Sequence, residues 1–247
     1  TSSNYEIDTK KPTVAISFSD TELAIGETAT ATFAFSEEIK GFTSSDISQY
    51  GTLGTFSGFS TTDNITWTAI FTPPASVEQR SPGQFSLTVL GMADLFGNEI
   101  GGGSMTVKGY TIDTVRPTST IALGDSTLTA GESTTVTVTF SEAVPGFTAD
   151  DLTASNGSLG TFVSSDSGIT WTASYTPDAD LASTTNVVTL DNTGIADAAG
   201  NAGSGAASSA NFTIDTVRPT ATITVADTAL KIGETSLVTI VFSQAVS

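Results

Sequence analysis

Residues 135–140, which read Thr-Val-Thr-Val-Thr-Phe, alternate strictly between polar and apolar side chains. Successive side chains of a β-strand point to opposite faces, so this period of two predicts a strand with one face in a core and a threonine face in solvent. Two other stretches alternate in the same way. The predicted inward positions are Ala29, Ala31, Phe33 and Phe35 in one stretch, Val136, Val138 and Phe140 in the next, and Val238, Ile240 and Phe242 in the last. Thr, Ser and Val dominate and no window sustains a period of 3.6 residues, so the chain is predicted to be all-β.

The three stretches belong to an internal repeat. The marker Ile-Asp-Thr-x-x-Pro-Thr begins at residues 7, 112 and 214, which lie 105 and 102 residues apart, and Gly-Glu and Phe-Ser follow it in each copy. A period near 100 residues is the size of a self-sufficient domain and too long for a solenoid unit. We therefore predict domains at 1–111 and 112–213. Residues 214–247 are predicted to be the truncated start of a third domain, too small to fold independently.

Runs between turn signals in the first copy predict about seven strands, near 13–19, 27–35, 46–50, 53–60, 65–71, 84–90 and 104–112. Seven short strands in about 100 residues are typical of an immunoglobulin-like β-sandwich. Trp67 and Trp171 share a face with apolar neighbours and are assigned to the cores. Phe42 and Phe147 fall in loops, where the pattern allows either packing or exposed contact.

Composition excludes several functions. The chain has 247 residues, eight basic against 26 acidic side chains, a net charge of -18, and neither cysteine nor histidine. Disulfides, zinc fingers, iron–sulfur clusters and Ser–His or Cys–His nucleophile pairs are therefore absent. The negative charge opposes nucleic-acid binding, and no apolar run approaches the ~20 residues that membrane insertion requires. We expect no enzyme here, since paired carboxylates such as Asp150 and Asp151 would point to opposite faces of a strand.

Acidic and amide side chains gather in the loops at one end of each predicted sandwich. The candidate ligands are Asp113, Glu142, Asp151, Asp197 and Asn201 in the second repeat and Asp8, Glu37, Asp46, Asp94 and Asn98 in the first. The third copy keeps Asp215 but has Gln244 where the others have glutamate, so its site should be incomplete. A junction of carboxylate and amide oxygens suits Ca²⁺ better than Mg²⁺, which requires a tighter octahedron. The sequence therefore predicts Ca²⁺ at the domain junctions.

A plainer interpretation exists for the same residues. Asp-x-x-Gly-Asn is also an ordinary turn, and Arg116 or Arg218 could satisfy the marker aspartate through an exposed ion pair of at most ~1 kcal/mol. The charge balance favours the cation, because residues 112–213 carry 11 acidic side chains and one basic one.

Four motifs of the second repeat, Ile-Asp-Thr-Val-Arg-Pro-Thr, Phe-Ser-Glu-Ala-Val, Gly-Phe-Thr-Ala-Asp-Asp and Ala-Asp-Ala-Ala-Gly-Asn, resemble the bacterial Ig-like repeats of giant adhesins. The resemblance implies a non-catalytic extracellular stalk, secreted or at the bacterial cell surface. It also implies Ca²⁺ held near domain junctions, here by Asp113, Glu142, Asp197 and Asn201. The partners implied are neighbouring repeats and an adhesion target bound by other parts of the parent protein. Two alternatives stay open: a repeat that binds a glycan or protein directly, and an accessory segment of a large secreted hydrolase.

Overall fold

The computed structural model describes residues 4–49, 54–88, 91–101 and 104–246. The strands of the first domain are β1 (Val14–Phe18), β2 (Glu22–Leu23), β3 (Ala29–Phe35), β4 (Ile47–Gln49), β5 (Thr55–Thr61), β6 (Thr66–Thr72), β7 (Glu78–Thr88) and β8 (Ser104–Asp113). Those of the second are β9 (Ser119–Leu123), β10 (Thr127–Thr129), β11 (Thr134–Phe140), β12 (Leu152–Ala154), β13 (Gly157–Leu159), β14 (Val163–Ser164), β15 (Thr170–Pro177), β16 (Ala182–Asn186), β17 (Val188–Asp191), β18 (Ala206–Ser208) and β19 (Phe212–Asp215). The third segment contains β20 (Ala221–Val225) and β21 (Val238–Phe242).

The first domain is a sandwich of two four-stranded sheets, ordered β1-β3-β6-β5 and β2-β8-β7-β4. The core lies between them, and Ala29, Ala31, Phe33 and Phe35 are all buried, as the alternation predicts. All seven predicted strands have counterparts, although residues 50, 53, 89 and 90 of the predicted ranges lie outside the described residues. The structure adds the short strand β2, which pairs in parallel with β8.

The second domain repeats this architecture. One sheet is ordered β13-β15-β11-β9, and its facing strands form two three-stranded pieces, β10-β19-β16 and β12-β17-β18. Val136, Val138 and Phe140 are buried, as predicted. Trp171 and its first-domain counterpart Trp67 are partly buried and packed against their cores.

Side chains of the repeated motifs form hydrogen bonds to the backbone of their own repeat. The serine of Phe-Ser accepts a hydrogen bond from the backbone N–H at the entry to the first strand of its own repeat. The pairs are Thr13 to Ser36 at 2.9 Å, Thr118 to Ser141 at 3.0 Å and Thr220 to Ser243 at 2.9 Å. The glutamate of Gly-Glu closes its own turn by accepting from the backbone three residues earlier, as Glu27 does from Ala24 at 2.8 Å. Gly26 supplies the φ of +80° that this turn requires.

A buried tyrosine ties two strands of the second domain together. The Tyr175 hydroxyl donates to the Ser155 carbonyl at 2.6 Å. Burial and the charge of Asp178 raise the pKa of Tyr175 to about 12. Tyr175→Phe should lower the free energy of unfolding by about 1 kcal/mol at neutral pH, the usual net contribution of one hydrogen bond.

This contribution should depend on pH. An unfolded tyrosine titrates near pH 10, so the folded chain holds the proton more tightly than the unfolded chain does. The stabilisation is complete below pH 10 and is lost as the pH rises toward 12. Urea unfolding of the wild-type chain and of Tyr175→Phe from pH 8 to 12 measures this pH dependence. A difference in the free energy of unfolding that stays constant over this range would contradict the expectation.

The third segment is a two-stranded antiparallel sheet, β20 with β21. Val238, Ile240 and Phe242 were predicted to face inward, but each is about half exposed, at 54%, 53% and 47%. The reason is that no second sheet covers either face of this pair among the described residues. The apolar and polar residues of β21 alternate as predicted, but no core covers the apolar positions among the described residues.

By their contacts the residues form two compact units. The first comprises the chain up to Pro117 together with Ala196–Gly203, and the second comprises Thr118–Ile195 and the chain from Ser204 onward. The loop Ala196–Gly203, which the repeat assigns to the second domain, therefore packs with the first unit.

Candidate metal centre

Three carboxylates of the first domain meet at one end of its sandwich. Asp8, Glu37 and Asp94 each place an oxygen within 4.8 Å of the other two. They come from three separate segments: the marker before β1, the turn after β3, and the loop between β7 and β8. Two oxygens bound to one Ca²⁺ at 2.3–2.6 Å lie at most about 5 Å apart, so the cluster has the spacing that one such ion requires.

Asp94 is fixed by the turn that it begins. Its Oδ1 accepts from the backbone of Phe96 at 2.8 Å and of Asn98 at 2.9 Å, and its Oδ2 accepts from Asn98 Nδ2 at 2.8 Å. Burial opposes ionisation of Asp94, but the hydrogen bonds from the side chain and backbone of Asn98 and from the backbones of Phe96 and Gly97 outweigh it. The pKa of Asp94 is consequently below its ordinary value, so the carboxylate is charged at neutral pH.

Asn98 connects this turn to the marker segment. The same Nδ2 donates to the Asp8 carbonyl at 3.0 Å. The Asp8 carboxylate forms a local turn by accepting from the Lys10 backbone at 2.9 Å through Oδ1. The cluster is therefore assembled by backbone turns as well as by the sandwich.

Glu37 carries the least satisfied oxygen of the cluster. Its Oε1 is shielded from solvent and makes no hydrogen bond among the described residues. A buried carboxylate oxygen without a donor is costly, and a bound cation would remove that cost. The donor set consists of three carboxylates, and oxygen donors of this kind fit a hard divalent cation.

The second repeat shows the same turn. Asn201 Nδ2 donates to the Asp113 carbonyl and to Asp197 Oδ2, both at 2.9 Å, and Asp197 Oδ1 accepts from the backbones of Ala199 and Asn201, also at 2.9 Å. Glu142 occupies the position equivalent to Glu37 and is buried. Calcium at these residues stays a prediction.

Two of the predicted ligands, Asp46 and Asp151, close local turns. Asp46 Oδ2 accepts from the backbone N–H and hydroxyl of Thr43, at 2.7 and 2.9 Å, and so closes a short 3₁₀ turn. Asp151 does the same with Thr148, at 2.8 and 3.3 Å. Asp46 lies outside the Asp8–Glu37–Asp94 cluster. Both turns are capping boxes, which the spacing Thr-x-x-Asp could have revealed in the sequence.

In the third segment Asp215 is exposed and accepts from the Val217 backbone at 3.2 Å. Gln244 donates to the Val217 carbonyl at 3.1 Å, so the residue in the glutamate position satisfies the backbone by itself.

The structure also shows contacts of the second loop that the sequence did not suggest. Asn201 Oδ1 accepts from the Ile25 backbone at 2.7 Å, and Arg116 Nη1 donates to the Ala202 carbonyl at 2.6 Å. Arg116, a candidate ion-pair partner of the marker aspartate from its sequence position, thus binds the Ala202 carbonyl.

The model of the bacterial Ig-like domain family matches residues 8–112, 113–214 and 215–247. The chain belongs to this family. The match confirms the resemblance drawn from the repeated motifs and, with the sheets described above, the all-β class of tandem Ig-like domains. No curated protein matches the chain.

Several solved structures are similar to this chain. The Escherichia coli adhesin FdeC is 18% identical over 94% of this chain and 73% of its own, with a TM-score of 0.41. InvD of Yersinia pseudotuberculosis is 18% identical over 90% of this chain and 64% of its own, with a TM-score of 0.37. The I9–I11 tandem of titin is 9% identical over 87% of this chain and 69% of its own, with a TM-score of 0.36. In the described part of the chain, no helix has the length and hydropathy needed to cross a bilayer.

Proposed function

We propose that this chain is a non-catalytic spacer segment of a bacterial adhesin, secreted or held at the cell surface, and that Ca²⁺ stiffens it where one repeat joins the next. The observation that carries the proposal is the cluster of Asp8, Glu37 and Asp94, with Glu37 Oε1 buried and unsatisfied. The adhesion target would be bound by other parts of the parent protein.

The cluster explains how a cation would stiffen the chain. Asp8 lies in the marker that precedes β1, whereas Glu37 and Asp94 belong to the body of the domain. An ion bound by all three would hold the marker segment against the domain. Without the ion, the three carboxylates repel one another, and the Asn98–Asp8 hydrogen bond is one of the contacts that oppose their separation.

The stabilisation expected from one bound Ca²⁺ ion follows from the typical Ca²⁺ affinities of extracellular domains. Extracellular modules bind Ca²⁺ with Kd values of about 10⁻⁴ to 10⁻³ M. At a free Ca²⁺ concentration ten times Kd, one occupied site would stabilise the folded domain by about 1.4 kcal/mol. That is enough to resolve by calorimetry.

Calcium should raise the melting temperature of the first domain by a few degrees relative to the chain in chelator, because only the folded cluster binds the ion. Isothermal titration calorimetry of the full chain should show a binding event that Glu37→Gln weakens at least tenfold. Small-angle scattering over the same titration measures whether occupancy narrows the distribution of chain dimensions.

Glu22→Gln is the matched control, since Glu22 is an exposed carboxylate on β2 of the same domain and lies outside the cluster. It removes the same charge and should leave the affinity unchanged. If both substitutions weaken Ca²⁺ binding equally, the effect of Glu37→Gln comes from the net charge of the domain and not from the cluster. Identical melting profiles with calcium and with chelator would contradict the metal site.

Direct ligand binding is less well supported, because the two loop aromatics that the sequence left open are used for packing. Phe42 and Phe147, the loop aromatics that might have formed a ligand platform, are both buried. The exposed faces of the sandwich sheets are mainly Thr and Ser, which give little area for stacking a sugar ring.

A further inference from the structure

The loop between β7 and β8 exposes two large apolar side chains at its tip. Leu95 is 48% exposed and Phe96 is 54% exposed, between Asp94 and Asn98 of the metal cluster loop. The equivalent loop of the second repeat has Ala198 and Ala199 at these positions. Turn chemistry does not require the large pair, because the alanine loop makes the same hydrogen bonds within its turn.

The alanine loop shows what such a loop contacts. Within the first compact unit, Asn201 accepts from the Ile25 backbone and Ala202 accepts from Arg116. Ile25 and Arg116 both belong to this unit and line the same surface groove. The loop of one repeat therefore docks on the end of the domain that precedes it.

The groove has a volume of about 590 Å³ and is lined by residues 25–27, 72–76 and 114–116. Ile25, Pro73, Pro74, Ala75 and Val115 make its walls largely apolar. The second domain has a groove of about 430 Å³ at the equivalent place, lined by 130–133, 176–180, Thr216 and Arg218. Each complete repeat thus carries an Asp-x-x-Gly-Asn loop and is followed by a groove lined by equivalent segments.

Residues 4–9 indicate which partner the Leu95–Phe96 loop would meet. They read Asn-Tyr-Glu-Ile-Asp-Thr and align with Asn-Phe-Thr-Ile-Asp-Thr at 211–216, which includes the last strand of the second domain. Phe212 and Ile214 are buried in that domain, but the corresponding Tyr5 and Ile7 are 81% and 73% exposed. Residues 4–9 therefore have the apolar positions of a last strand, and no sheet of the described residues covers them.

The hydrogen bond between the marker segment and the loop is the same in both repeats. Asn98 donates to the Asp8 carbonyl at 3.0 Å, as Asn201 donates to the Asp113 carbonyl at 2.9 Å. A domain built on residues 4–9 would consequently present its groove to the Leu95–Phe96 loop, as Ile25 and Arg116, which line the groove of the first unit, contact the loop that contains Ala198 and Ala199.

We propose that Leu95 and Phe96 form a docking surface for another Ig-like domain of this family, the one whose last strand is residues 4–9, and that the two side chains enter its end groove. The alanine pair leaves the groove of the first domain open, whereas a leucine and a phenylalanine would fill much of such a space. This apolar contact needs no cation and so goes beyond the proposed calcium site.

The test extends the full chain by one domain. A copy of residues 118–210 is joined to Asn4, so that residues 4–9 take the place of 211–216 as its last strand. Hydroxyl-radical footprinting should oxidise Phe96 several-fold more slowly in the extended chain than in the original one. The double substitution Leu95→Ala and Phe96→Ala should lower the melting temperature of the extended chain by at least about 4 °C and that of the original chain by less than about 1 °C.

Val163→Ala is the control, because Val163 is 62% exposed on β14 and should behave identically in both chains. The measurements are made with Ca²⁺ and with chelator, and protection of Phe96 in either condition supports the docking surface. Equal oxidation of Phe96 in both chains under both conditions would overturn it, whether or not the calcium site exists.

If the added domain fails to fold, a second pair of substitutions tests the proposal in the original chain. Ala198→Leu with Ala199→Phe places the large pair beside the groove of the first domain. A raised melting temperature supports the proposal, and an unchanged or lower one refutes it.

Discussion

Phe147→Ala should lower the free energy of unfolding of the second domain by about 3–5 kcal/mol, the range for removing a buried aromatic side chain. Phe147 comes from a loop, yet its ring is buried and packs against three others. The ring centroids lie 5.1 Å from Phe140, 5.2 Å from Phe162 and 5.7 Å from Trp171. Truncation would leave a cavity among these rings that the sheets cannot close.

Urea unfolding followed by tryptophan fluorescence measures this loss, since Trp171 reports on the second domain. Val163→Ala serves here too as the exposed control and should change the free energy by less than about 0.5 kcal/mol. A loss below about 1 kcal/mol for Phe147→Ala would mean that the ring is a surface group and would reopen the ligand-platform interpretation.

Asn201→Ala should destabilise the first unit by about 3 kcal/mol, because Asn201 is buried and joins three segments. Its amide nitrogen binds the Asp113 carbonyl and Asp197, and its oxygen accepts from the Ile25 backbone. Alanine removes one hydrogen bond from the buried Asp197 and from the part-buried Ile25 and Asp113 backbone groups, at about 1–3 kcal/mol for each group left unsatisfied and less where water can enter.

Asn98, the equivalent residue of the first repeat, provides an internal comparison for Asn201→Ala. Asn98 makes the equivalent two bonds through its nitrogen, to Asp8 and Asp94. Asn98→Ala should therefore cost about 1 kcal/mol less than Asn201→Ala, and the difference measures the bond to Ile25. Thermal unfolding of both variants in chelator gives the two values, and equal losses would mean that the Ile25 contact contributes nothing.

The sandwich was predictable because its signals are local and repeated. A period of two over Val136, Val138 and Phe140 specifies a buried face whatever its partner is, and the recurrence of the marker gives the domain length. Strand β2 was missed because two residues cannot display a period, and its existence depends on pairing with β8, about 90 positions away.

The candidate site was predictable only in part. Asp8, Glu37 and Asp94 are assembled by loops that meet at one end of a sandwich, which topology alone suggests. Asp46 and Asp151 have the same chemistry, but the threonine three residues before each supplies a nearer donor, and local hydrogen bonds form without any need to order distant segments. The contact between Asn201 and Ile25 has no local signal, because it joins residues 176 positions apart.

The parallel pairing of β2 with β8 determines how the first domain would bear a load. Glu22 lies opposite Thr111 and Leu23 opposite Ile112, so the strand near the start of the domain and the strand at its end run in the same direction side by side. A pull applied to the two ends would slide these strands past each other, and their hydrogen bonds would have to break together. The second domain has the same arrangement in β10 and β19, so a tensile force along the chain would meet a shear-resistant clamp in each complete repeat.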